Sequence, residues 1–300
     1  MQSFTLVLPL TLICFAGVAV PERFTAPDRG FVSLQAAETW EQGLLSGNGT
    51  ICVNVLSRPL DEIVIFNHER LFLPEGEPVL PPLMAPHLGE VRELIATGKY
   101  KEATELCFEI SEQDGFMYPD RFVPAFDLRI ETRAEGEVTE YVRGVDFQTG
   151  EAVVQWSDAR GRFDRRIFVS RRDGVAVLLL RGPERGMLDC SLRFAPRTLD
   201  ARLDPKQREA SDQVFAEHII DIESHAEGDT LRWRNGFAKA YTGSIQAVEG
   251  LALVRASGGS VAAANDALRI EGADEVLVLA DLRLLRNSSE SQFSAMAARL

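Results

Sequence analysis

The sequence predicts a mainly β protein, a large antiparallel β-sandwich (a supersandwich) with a short two-helix insertion and the start of a C-terminal linker helix. Three observations predict it. Short runs with apolar side chains on alternate positions recur between Thr50 and Leu284. Turn triplets such as Ala159-Arg160-Gly161, Arg172-Asp173-Gly174 and Ser257-Gly258-Gly259 separate them. Helical spacing is confined to one internal stretch and to the last residues. Strands this close, without intervening helices, pair as hairpins and not as βαβ units.

The first element is an address. Residues Gln2 to Pro21 carry no charge, Phe4 to Val20 is largely apolar, and Gly17 and Ala19 are small enough for cleavage after Ala19. The expectation is a signal peptide over residues 1–19, giving a periplasmic or extracellular protein with no membrane contact after cleavage. No Lys or Arg precedes the run, so an uncleaved anchor and a misplaced start codon stay open as alternatives. A spanning helix needs roughly 20 apolar residues, and this run is interrupted by Pro9.

The β-domain is expected over residues 20–287. Gly47-Asn48-Gly49 reads as a tight turn before the apolar strand Thr50 to Val55. Asp61 to Asn67 is a strand with Ile63 and Ile65 on one face. Between Pro86 and Gln113 the period changes to helical. Val91, Leu94 and Ile95 form one apolar face, and Ala103, Leu106, Cys107 and Ile110 form another. Gly98 suits a C-cap between them, so two short helices packed on a sheet are expected. Strands follow at 125–133, 137–147, 151–156, 163–170, 175–181 and 188–194. Within the last, Leu188, Cys190, Leu192 and Phe194 share a face. The polar stretch 196–212 reads as a loop, and strands resume at 251–256 and 275–284. Ser288 to Leu300 turns helical again, with Ser289 as N-cap and Phe293, Met296 and Leu300 on one face. Residues 288–300 are therefore the expected start of the linker.

Composition narrows the chemistry. The net charge is −13, from 45 acidic and 32 basic residues, so a polyanion would be repelled and nucleic acid is an unsuitable partner. Arginine pairs such as Arg165-Arg166 and Arg171-Arg172 are expected on solvated strand faces. Cys52, Cys107 and Cys190 are far apart and lie in apolar contexts, which reads as buried free thiols. No metal-ligand spacing, phosphate loop or nucleophile elbow is present, and neither a metal nor a cofactor is implied.

Carboxylates abound, yet no pair stands out as the two a glycosidase sets across a sugar. The most unusual string is Asn67-His68-Glu69-Arg70, directly after the strand Ile63 to Phe66. Asn67 and Arg70 offer donors for hydroxyl groups, and a His68–Glu69 pair would hold the imidazole in one tautomer, so these four are the candidate substrate-binding residues. The plainer reading is a polar turn whose side chains cap the strand's own backbone. Trp40, Trp156 and Trp233 are candidates for stacking on sugar rings, or else core residues.

Several strings, in order, resemble the N-terminal domain of family 95 glycoside hydrolases, the inverting α-L-fucosidases. They are Trp40 with Gly47-Asn48-Gly49 and the strand to Val55, then Ile63 to Asn67 with Leu71-Phe72, then Val91 to Leu106. Tyr141, Arg143 and Asp146 follow, then Thr149-Gly150, Arg165 to Ser170, and Asp173-Gly174-Val175. The resemblance spans roughly Trp40 to Leu282. Where the family has an acidic Asn-Glu-Asp-Thr-Leu-Trp string this chain has Asn67 to Phe72, and the family's Gly-Asp-Leu is Phe126-Asp127-Leu128, which leaves α-L-galactosides open. The resemblance implies a β-sandwich that packs on an (α/α)6 barrel beyond Leu300, acting on fucosylated glycans. It places every catalytic residue in that barrel and none in this chain, which alone would be inactive. A stand-alone glycan-binding module is the alternative. A structural or dimerisation domain would leave apolar surface exposed near Phe293 and Met296, and a phosphorylase is a fourth reading.

Overall fold

A computed structural model describes residues 22–77, 83–111, 120–197, 213 and 215–300. The expected signal peptide and most of the expected 196–212 loop lie outside the described residues. The described strands run in chain order: β1 Gly30–Ser33, β2 Leu44–Gly47, β3 Ile51–Val55, β4 Asp61–His68, β5 Phe126–Thr132, β6 Thr139–Asp146, β7 Glu151–Asp158 and β8 Gly161–Val169. They continue as β9 Ala176–Arg181, β10 Leu188–Ala195, β11 Ile219–Glu227, β12 Thr230–Phe237, β13 Ala247–Ser257, β14 Ser260–Ala264, β15 Ala267–Ala273 and β16 Glu275–Leu285. The α-helices include α1 Leu88–Ala96, α2 Tyr100–Ser111 and α3 Phe293–Ala297, and short 3-10 helices occur at Trp40–Gln42 and Ala85–His87.

Two sheets face each other. One has the order β1-β6-β7-β8-β9-β16-β13-β12-β11, the other β14-β15-β10-β5-β4-β3-β2. The pairings between named strands are all antiparallel, as expected from the hairpin-scale spacing. β10 shows why the period matters: Leu188, Cys190, Leu192 and Phe194 point into the core and the residues between them do not. β4 departs from simple alternation because both its faces are covered. Val64 and Phe66 enter the main core, whereas Ile63 and Ile65 pack outside it with Ala37 and Leu56.

Aromatic rings fill the space between the sheets. Phe126 lies 5.0 Å from Phe66, 4.7 Å from Phe194 and 5.9 Å from Trp233. Gly250 on β13 permits this, since a Cβ there would meet the Phe126 ring at 2.5 Å. Trp156 and Phe163 stack at 5.3 Å, and the Arg165 guanidinium sits 4.9 Å over Trp156. Both tryptophans are therefore core residues, and Trp40 is the exposed one.

Arg165 corrects the expectation of a solvated pair. Its side chain is 0% exposed and reaches across the sandwich to Glu62, also 0% exposed, at 2.7 Å. Its Nη1 also donates to the Arg58 carbonyl and its Nη2 to that of Pro59, while its Nε has no hydrogen-bond partner among the described residues. The Glu62 carboxylate also accepts backbone N–H groups of Ser57 and Ile63, which satisfies a charge that burial alone would make costly. The Tyr141 and Arg143 string has a similar duty: Tyr141 donates to the Ser57 carbonyl at 2.6 Å and Arg143 to that of Gln42 at 2.8 Å.

The helical parts differ from expectation in packing more than in position. Gly98, at φ +77°, ends α1 through a bond from its N–H to the Ile95 carbonyl. However, α1 and α2 pack chiefly on each other, and Ala103 is their buried residue among those described. At the C-terminus the helix is a single five-residue turn that begins after Gln292, so Ser289 is not its N-cap. Ser289 bonds instead to Asn287, and the Gln292 N–H donates to buried Glu249 at 2.7 Å. Met296 is fully buried and the Arg232 guanidinium lies over Phe293, so the apolar surface expected there is covered. Cys190 is buried as expected, but Cys52 and Cys107 are half-buried.

Candidate functional site

Turns from both sheets meet at one end of the sandwich and enclose a cavity of about 520 Å³. The β2–β3 turn forms one side. Gly49 takes φ +95°, and the Asn48 side chain accepts the N–H groups of Thr50 and Ile51 while donating to the Ser170 carbonyl at 3.1 Å. That last bond ties the turn to its counterpart between β8 and β9. There Ser170 donates to Asp173 at 2.8 Å, and Gly174, at φ +65°, offers its carbonyl to Arg299 at 2.7 Å. The end of β16 supplies the floor. Asp281, fully buried, accepts its ion pairs from Arg283 at 3.0 Å and Arg299 at 3.4 Å.

The end of β4 brings in part of the string picked out by sequence. His68 and Arg70 line the cavity, and Asn67 and Glu69 do not. Asn67 donates to the Ile65 carbonyl on its own strand, and Glu69 pairs with Arg70 at 3.2 Å on the surface. His68 is oriented through a contact other than the expected one with Glu69. Its Nδ1 accepts the Arg70 backbone N–H at 3.1 Å, which leaves the proton on Nε2. Burial pushes the imidazole below its ordinary value, Glu69 opposes this, and Arg70 and Arg283 add to it. The ring is therefore a neutral donor at pH 7. Both readings of the string hold in part, since it caps its strand and also lines the cavity.

Sequence reasoning missed most of the wall. Arg171 and Arg172 stand in the β8–β9 turn, exposed, with no hydrogen bond or ion pair among the described residues. Arg283, Arg286 and Arg299 come from the far end of the chain. The visible signal was the Arg171-Arg172 pair in a turn rather than in a strand. Its convergence with residues 283–299 has no local trace.

Chemically the cavity offers donors. Its two carboxylates, Asp173 and Asp281, are occupied by Ser170 and by two guanidinium groups. Asp281 meets a guanidinium group at each of its oxygens, so neither oxygen is left open towards the cavity. Among the described residues no cluster of metal-ligating side chains occurs.

Comparison with known proteins adds the following. Residues 32–283 match the family described as "Glycosyl hydrolase family 65, N-terminal domain". No curated protein matches the chain. A solved structure described as "Putative kojibiose phosphorylase from human microbiome" is 8% identical with a TM-score of 0.45, over 92% of this chain and 35% of that one. The chain thus spans about a third of that protein's length. The sequence strings pointed to a glycoside hydrolase N-terminal domain, and that much stands. The matching family is 65 and not 95, and fucoside specificity gains no support from it.

Proposed function

Because this chain belongs to the glycosyl hydrolase family 65 N-terminal domain family, over residues 32–283, we propose that it is the β-sandwich part of a carbohydrate-active enzyme. Its cavity would supply one wall of a saccharide site. The observation that carries this reading is the meeting of both sheets' turns around His68 and Arg70, whose Nε2–H and guanidinium groups are donors suited to sugar hydroxyls. The acid and the water-positioning groups would lie in a barrel outside this chain, because the carboxylates at the cavity are already held.

The finer reading is inverting hydrolysis of terminal α-L-fucosides. It rests on the strings from Trp40 through Gly174, and export behind a signal peptide at residues 1–19 completes it. A second reading, a stand-alone glycan-binding module, is favoured by one observation: the cavity offers donors while both its carboxylates are held by other groups.

The test has two arms. The purified chain, given aryl α-glycosides including the α-L-fucoside, should release no sugar. Turnover abolished by Asp281→Asn would overturn the assignment of catalysis to another domain. In an enzyme joined to its catalytic domain, His68→Ala with Arg70→Ala should lower kcat/KM about tenfold while leaving Tm unchanged. An unchanged kcat/KM with a lowered Tm returns the string to strand capping.

A further inference from the structure

The charge around the cavity runs against the charge of the chain. Arg70, Arg171, Arg172, Arg283, Arg286 and Arg299 line it against Asp173 and Asp281, an excess of four positive charges in a protein whose net charge is −13. A neutral sugar does not require this. Hydroxyl groups are matched by Asn, Asp, Glu and neutral donors, whereas guanidinium is the planar, permanently charged fork that fits carboxylate, sulfate and phosphate oxygens. Holding like charges together costs free energy, and a low-dielectric concavity focuses the resulting field.

Internal partners do not use all of it. Asp281 engages Arg283 and Arg299, Glu69 engages Arg70, and Arg286 donates to the Gly243 carbonyl. Arg171 and Arg172 remain without a partner among the described residues, on a turn held rigid by the Asn48–Ser170 and Arg299–Gly174 bonds. His68 contributes a neutral Nε2–H beside them. Two open guanidinium groups, a fixed turn and a sugar-sized space make a built site with one kind of charge missing.

We infer that the cavity binds an oxyanion carried on a saccharide, a carboxylate or a sulfate, with Arg171 and Arg172 gripping the anion and His68 and Arg70 meeting the ring hydroxyls. The anion follows from the arginines, and the saccharide rests on the family reading above.

The two parts separate by calorimetry on the full chain with D-glucuronate, glucose 6-sulfate, inorganic sulfate and glucose. The charged sugars should bind, more weakly as salt rises, and glucose should not. Arg171→Gln with Arg172→Gln should weaken the charged sugars about tenfold or more, and Arg185→Gln, an exposed arginine elsewhere, should leave them unchanged. Circular dichroism confirms that the variants fold. Failure of all three anions to bind, or binding that ignores the double substitution, overturns the oxyanion site and leaves the family reading standing. Inorganic sulfate binding as tightly as glucose 6-sulfate upholds the anion and overturns the saccharide.

Discussion

Arg165 and Arg171 belong to neighbouring stretches of one hairpin and have opposite fates. Arg165 lies on β8, crosses the sandwich, and commits both its Nη groups to Glu62 and two carbonyls with no access to water. Arg171, in the turn that follows β8, faces an open cavity with no partner among the described residues. The same side chain is a stitch in one place and a vacant grip in the other. Burial with the charge paired marks structure, and exposure of unpaired charge on a rigid turn marks a place for something else.

The comparison is tested most strongly at the stitch. Glu62→Gln or Arg165→Met alone should destabilise the fold by about 3–5 kcal/mol in urea, because each leaves its partner's charge buried and uncompensated. Replacing both by apolar residues should recover much of that loss. If each single change costs less than about 1 kcal/mol, Arg165 is no more structural than Arg171, and the contrast collapses.

Asp127 sharpens the contrast through pH. Burial outweighs Arg197 and Arg129 and lifts this carboxyl from its ordinary 3.8 to about 6. Its Oδ1 has no partner among the described residues. The folded state thus holds the proton more tightly than the unfolded state does. The group's contribution is fully present below pH 4 and is lost as pH rises through 6, a change of up to about 3 kcal/mol. Subtracting the pH–stability curve of Asp127→Asn from that of the parent should isolate this slope between pH 4 and 7. A difference curve that is flat there removes the assignment.

At the core, Gly250→Ala should cost about 1–3 kcal/mol, because its Cβ would meet the Phe126 ring and force the aromatic cluster to shift. The smallest expected effect is at the rim. Arg171→Gln with Arg172→Gln should change stability by no more than about 0.5 kcal/mol in the same urea titration. A larger loss would mean that these arginines are structural after all.

Legibility followed the range of the interactions. The strands at 61–67, 188–194 and 275–284 and the helix break at Gly98 were visible because period-2 alternation and a C-capping glycine are local signals. β12 carries the same alternation, with Leu231, Trp233, Asn235 and Phe237 inward, but Arg232 and Arg234 between them obscure it in the sequence. β1 and β2 are four residues each, too short for a period to register. Ser289 failed as a cap because a buried acid distant in sequence, Glu249, holds the Gln292 N–H that begins the last turn. Within the Asn67 to Arg70 string, chemistry was readable but direction was not, since strand pleat and turn geometry decide which side chains reach the cavity.

By itself the sequence determined the class of fold, because alternation and turn chemistry act between neighbouring residues. It also determined the acidic net charge of the chain and the polar string at the end of β4. Only the tertiary structure decided that Glu62 and Arg165 meet at 2.7 Å, that the tip of β4 meets the β8–β9 turn, and that arginines from residues 70 to 299 gather around one cavity inside an acidic protein. Pairing across sheets depends on register and sheet order, and these are set by the packing of the whole core.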